Sequence, residues 1–294
     1  MLYRVVRFFS KKKKKESDLS LAATGAGSYL FYEKGRPAIV NELCERSDKA
    51  LSGRFLENEA NIGNRIIKES NKRGVPVLES PSGDDYYLHN YDSRRNRIKK
   101  RLKKLAKKAK LPKKLISKYL EPTDIKVDPN KIYFNSKFGV SSLAHEFGHM
   151  HYYNDKNAGF IGKTVHEYRP EDLLRKHTKK KLSAIGLTGG YLAEKYKHDN
   201  NGKENKVLSN SGWSIPTILH TPELIRESSA SYYGHKTLKR LGADKKLLSK
   251  YRKVVIPAFG AYTVHAASNA ILGHGMNKLG RLLYRKTHKN DEKS

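Results

Sequence analysis

Ala144-His145-Glu146-Phe147-Gly148-His149 carries an HExxH signature. On a helix, residues four apart lie on one face, so His145 and His149 can offer two imidazoles to a single cation. Glu146 follows the first histidine and can reach a water on that cation without being a ligand. Two neutral nitrogens, an open position and a neighbouring carboxylate are what hydrolysis assisted by Zn²⁺ requires. A chance match on an ordinary buried helix competes with this, because the chain has 12 His and 29 acidic residues. Two features favour metal chemistry. Gly148 lets a neighbouring element approach closely, and Val140, Leu143, Ala144 and Phe147 supply an apolar face beside the histidines. Ser141 or Ser142 is expected to cap the helix start.

With 294 residues the chain can bury a substantial core. Its single cysteine, Cys44, excludes a disulfide framework and a cysteine-based zinc site, and fits a reducing compartment. The formal charge is +31, from 60 Lys and Arg against 29 Asp and Glu. Such an excess attracts polyanions: nucleic acid, anionic lipid or an acidic partner. Met1 to Phe9 is too short for the apolar region of a signal peptide. Leu19 to Tyr32 is uncharged and follows the Lys11 to Lys15 run like such a region, but it is broken by Gly25, Gly27 and hydroxyl residues. The expected location is cytoplasmic or membrane-associated, with no clear secretion signal.

Residues 1–92 read as an N-terminal region. Pro37 opens a helical pattern through Ile39, Val40, Leu43, Leu51, Phe55, Ile62, Ile66 and Ile67, and Gly74 closes it. Val75 to Leu78, a turn at Ser80 to Asp85, and Tyr86 to Leu88 suggest a hairpin. Residues 93–121 read as a basic helical linker. Ile98, Leu102, Leu105 and Ala109 make a thin apolar seam among the cations of Arg94 to Lys118, and Pro112 breaks the series. Such a helix suits an anionic membrane surface or a phosphate backbone. Membrane is favoured over nucleic acid, since no aromatic is interleaved before Tyr119 for base stacking.

Residues 122–285 hold the chemistry, and 286–294 form a polar tail. Ile125 to Val127 and Ile132 to Phe134 read as short strands around the turn at Asp128-Pro129-Asn130. The strand just before the HExxH helix is well placed to hold an extended peptide by edge pairing. Three uncharged or weakly polar stretches, Leu19 to Tyr32, Leu182 to Ala193 and Val254 to Asn277, suit close helix packing or membrane insertion. The last is long enough to span a bilayer, though Pro257, His265, Asn269 and several glycines dilute it.

A hydrolytic zinc site needs a third protein ligand. In the HExxHxxGxxH spacing that position is Asp155, but Tyr152 replaces the turn glycine, and a continuing helix would carry Asp155 away. His151 points off the ligand face. The other option is a glutamate on a later helix, with Thr221 as N-cap and Pro222 in its first turn. Glu223 and Glu227 share a face of that helix, and spacing does not choose between them. Histidines 166, 177, 220, 235, 265 and 274 have no partner at ligand spacing. His235 or a nearby tyrosine is a candidate for assisting the transition state.

The run Pro222 to Leu241, with Glu227-Ser228-Ser229-Ala230-Ser231 followed by Leu238 and Leu241, resembles the later helix of the bacterial neutral zinc metallopeptidases, a membrane-associated HExxH family. Ala258 to Ala267 resembles that family's alanine-rich helix after the ligand, and the likeness covers roughly residues 120 to 275. The resemblance implies Zn²⁺ held by His145, His149 and Glu227, with Glu146 as general base. It departs at Ile225-Arg226, which is less apolar than the family pattern. The expected fold is mainly α (α+β): a zincin-like metallopeptidase domain with a few short strands before the HExxH helix and a basic helical N-terminal extension. The expected activity is zinc-dependent hydrolysis of peptide bonds in a protein or peptide substrate, with residues 94–118 meeting an anionic membrane. The alternative is a non-enzymatic polyanion-binding or membrane-docking protein with a vestigial or structural metal site.

Overall fold

A computed structural model describes residues 17–51, 59–80, 86–88, 131–134, 139–154 and 177–288. The chain is mainly helical. Its elements are α1 (Asp18–Leu30), a π-helical turn (Phe31–Gly35), α2 (Arg36–Leu51), α3 (Glu59–Lys72), β1 (Val77–Glu79), β2 (Tyr86–Leu88), β3 (Lys131–Phe134), α4 (Gly139–Asn154), α5 (Thr178–Asp199), α6 (Lys206–Arg240) and α7 (Lys245–Thr287). The basic linker and the strand expected at Ile125 to Val127 lie outside the described residues, as does Asp155.

Two compact units form, each from segments distant in sequence rather than from consecutive stretches. One takes in the described residues of 1–37, 177–217 and 267–294, the other those of 38–176 and 218–266. The long helices α6 and α7 each contribute to both.

In the second unit, α3 turns Ile62 and Ile66, one helical turn apart, into a core with Ile132, Phe147, Leu238 and Tyr251. Fully burying each large apolar side chain contributes about 1.5–3 kcal/mol, so this cluster fixes the position of α4. Gly74 ends α3 as expected, with φ +74° and its N–H donating to the Asn71 carbonyl.

The sheet corrects the expected hairpin. Its order is β1-β3-β2, so β1 and β2 do not pair with each other. β3 lies between them, parallel to β1 with Val77 opposite Ile132, and antiparallel to β2 with Tyr87 opposite Ile132. Ile132 is 0 % exposed, and a central strand is where such a residue loses most contact with water. The strand preceding the HExxH helix therefore has both edges occupied. It cannot take a peptide by edge pairing.

Two expected helix starts are also corrected. α4 begins at Gly139, with φ +69°, so Ser141 and Ser142 lie inside the helix rather than at its cap. Thr221 is not an N-cap: α6 begins at Lys206 and continues through Pro216 and Pro222. Its start is held by Asn205, whose side-chain oxygen accepts from the N–H groups of Val207 and Leu208 at 3.0 and 3.2 Å. Asp244 does the same for α7, accepting from Leu247 N–H at 2.7 Å.

The first unit uses its small residues for close helix packing. A Cβ on Gly186 would lie 2.5 Å from the Gly273 carbonyl oxygen, so no larger residue fits there. Pro37 does not open a new helix; α1 runs on into α2 through the π turn. There Arg36 N–H donates to the Phe31 carbonyl, five residues back, just before Pro37, which has no N–H to offer. α7 is the one helix among the described residues that is long and apolar enough to cross a bilayer by length and composition. Its best window has mean hydropathy 1.2 with 28 % of it buried.

Candidate metal centre

All the groups of interest belong to the second unit. α4 carries Ala144 and Gly148 one turn apart, and α6 carries Ala230 and Gly234 in the same spacing. A Cβ on Gly148 would lie 2.1 Å from the Ala230 carbonyl oxygen, and one on Gly234 would lie 2.6 Å from that of Ala144. The two backbones therefore touch, with no side chain between them. One turn from this contact, Glu227 reaches across to both histidines of α4.

His145 Nε2 lies 3.3 Å from Glu227 Oε2, and His149 Nε2 lies 3.6 Å from the same oxygen. The imidazole rings stand edge to face with centroids 4.9 Å apart. All three donor atoms fall within 4.8 Å of one another. Zinc bonds to nitrogen and oxygen of about 2.0–2.2 Å imply ligand–ligand edges of roughly 3.3–3.6 Å in a tetrahedron. The glutamate–histidine separations fall in that range, and two imidazoles with one carboxylate could hold a divalent metal ion.

A hydrogen-bond chain orients the first histidine. Ser231 Oγ donates to the Glu227 carbonyl at 2.9 Å and sits 3.4 Å from His145 Nδ1. With its one proton committed, the hydroxyl accepts from Nδ1–H, which leaves the lone pair of His145 on Nε2, facing the carboxylate. Two lone-pair atoms 3.3 Å apart need a cation between them, either a proton or a metal. Tyr251, on α7, donates to the Ser231 carbonyl at 2.9 Å and is fully buried.

Burial pushes the Glu227 carboxyl up, but His149 and His145 outweigh it and hold the group well below the usual carboxylate range. Glu146 is 8 % exposed. Burial and the Glu146 carboxylate push the Tyr251 phenol up. Tyr262, also on α7, is pushed up by Glu227 first, then by burial, Glu146 and Glu223. Both phenols thus feel the carboxylates of this site and are held in the neutral form.

The Glu223 alternative separates from the cluster. Its carboxylate lies 3.0 Å from His220 Nδ1, and His220 packs edge to face on His265 at 5.4 Å. His151 turns away from the metal cluster and stacks on Tyr233, with Nε2 4.0 Å from Glu69. His235 leans on Tyr251 at 6.2 Å, and burial, Arg252 and Lys239 depress its pKa. No protein-family model, curated protein or solved structure matches this chain.

Proposed function

We propose that the chain is a zinc-dependent endopeptidase with a zincin-like catalytic unit, related to the neutral zinc metallopeptidases it resembles. The observation that carries this reading is three donors within 4.8 Å of one another, with Glu227 at tetrahedral edge length from both histidines and Glu146 next to His145 on the same helix. His145 Nε2, His149 Nε2 and Glu227 would hold the ion. When bound, zinc would supply a Lewis acid for the scissile carbonyl and lower the pKa of a bound water to about 7. Glu146 takes the proton of the attacking water and passes it to the leaving nitrogen, so the carboxylate is regenerated as the amide bond breaks. Tyr262, kept neutral by the surrounding carboxylates, has a proton to donate toward the developing oxyanion. Ser231 holds His145 in the tautomer that ligation needs.

Structural zinc sites are closed by four protein ligands. Here three converge among the described residues, next to a largely buried carboxylate, which supports hydrolysis over a structural or vestigial site. Glu146→Gln tests this directly. Cleavage of an unstructured protein such as casein should fall by about 10²–10⁴-fold while zinc content stays the same. A variant that cleaves at the parent rate would remove Glu146 from the chemistry.

A further inference from the structure

Away from the metal cluster, α2 and α7 cross antiparallel. Ser47 Oγ donates to the Val254 carbonyl at 3.0 Å, and Leu43 packs against Gly260. Beside this crossing is a cavity of about 760 Å³. Arg46 and Lys49 enter from α2, and Arg252 and Lys253 from α7, with Ile256 and Pro257 beside them. Among the described residues, no carboxylate lines it. Arg46 also pairs with Glu42, which is outside the lining.

Residues 249, 252, 253 and 256 recur at helical spacing, so one face of α7 changes from cationic to apolar within a turn. Ile256 is 65 % exposed, a high value for an isoleucine next to four cations. From Val254 to Asn277 the helix then carries no formal charge. Cations that surround an anion, next to an apolar surface, match the two halves of a phospholipid.

We propose that Arg46, Lys49, Arg252 and Lys253 form a cradle for the phosphate headgroup of an anionic phospholipid at a bilayer surface, with Ile256 against the acyl region. Among the described residues the lining holds no aromatic ring on which a base could stack, which disfavours single-stranded nucleic acid as the occupant. The cradle needs no metal and stands apart from the proposed hydrolysis. If that activity holds, the spacing of about 9 Å along α7 between Ile256 and Tyr262 would bring substrates close to the bilayer toward the metal centre.

The test is co-sedimentation of the full chain with vesicles of phosphatidylcholine alone or with about 30 mol % phosphatidylglycerol, in roughly 0.1 M salt. The chain should partition onto the anionic vesicles. Arg252→Glu with Lys253→Glu should weaken that partition by about thirtyfold or more. The conservative pair Arg252→Lys with Lys253→Arg should retain it, with melting unchanged in both variants. As a control, Lys195→Glu with Lys203→Glu removes the same charge from exposed positions on the first unit. Equal losses in the control and the cradle variant would show diffuse attraction and overturn the site, as would undiminished binding by the cradle variant. Displacement of the protein by free glycerol phosphate at constant ionic strength would assign the cradle to a soluble phosphate ester. Duplex DNA binding with the same dependence on Arg252 and Lys253 would assign it to nucleic acid. Either result overturns the lipid.

Discussion

Ser231 serves two groups at once, accepting from His145 and donating to the Glu227 carbonyl. A side chain that fixes the tautomer of a ligating histidine typically contributes 10–100-fold in metal affinity. Ser231→Ala should therefore weaken zinc binding by about that factor in a competition against a chromophoric chelator. Unchanged affinity would mean that His145 is oriented by something else. His145, Glu146 and His149 were legible in the sequence because their geometry is local: four residues on one helix bring both imidazoles to one face. Glu227 was reached only through resemblance, since Glu223 has an equivalent helical position. What separates them is that α4 faces Glu227, a tertiary fact, while Glu223 pairs with His220 three residues back on its own helix. Tyr262 had no local signal at all.

At the level of elements, the site depends on how closely α4 and α6 cross. Gly148 was recognised in the sequence as permitting close approach, and the structure identifies its partners as Ala230 and Gly234. Gly148→Ala would drive a methyl group into the Ala230 carbonyl. Overpacking of this kind costs about 1–3 kcal/mol, and any relaxation must move Glu227 away from the histidines. Loss of both stability and zinc affinity is expected, read by urea denaturation and metal titration. A variant that kept both would show that the crossing has slack. The misread helix start at Thr221-Pro222 has a physical cause. Threonine followed by proline is a strong local start signal, yet α6 was already capped by Asn205 and continues through both prolines. The hairpin was misread for a related reason: β3 comes from a remote segment, and nothing near Val77 or Tyr86 announces it.

At the scale of the whole molecule, the linear division of the sequence could not anticipate units assembled from separate segments and sharing two long helices. The first unit is tied by a buried charge cluster. Glu194 pairs with Arg281 at 2.9 Å and Arg285 at 2.7 Å, and Arg285 also reaches Asp18 at 3.4 Å. Burial raises the Glu194 carboxyl, but Arg285 and Arg281 more than offset it and leave the group below its ordinary value of 4.5. A depressed carboxyl stabilises the fold fully above its unfolded pKa and loses that contribution as pH falls through the lower folded value. Glu194→Gln should cost about 3 kcal/mol near neutral pH by stranding the arginines. It should also flatten the fall in stability below about pH 4.5, seen as a shallower acid limb in urea melts. An identical acid limb in both proteins would remove Glu194 as its source. The +31 charge does not by itself locate a binding site; the arrangement of α2 and α7 concentrates part of it in one cavity. The most direct measurement for the molecule is zinc stoichiometry by equilibrium dialysis of the intact chain and of Glu227→Ala. About one zinc per chain, lost or weakened by orders of magnitude in the variant, is the expected result; a chain that binds no zinc, or binds it equally well without Glu227, would contradict the metal centre.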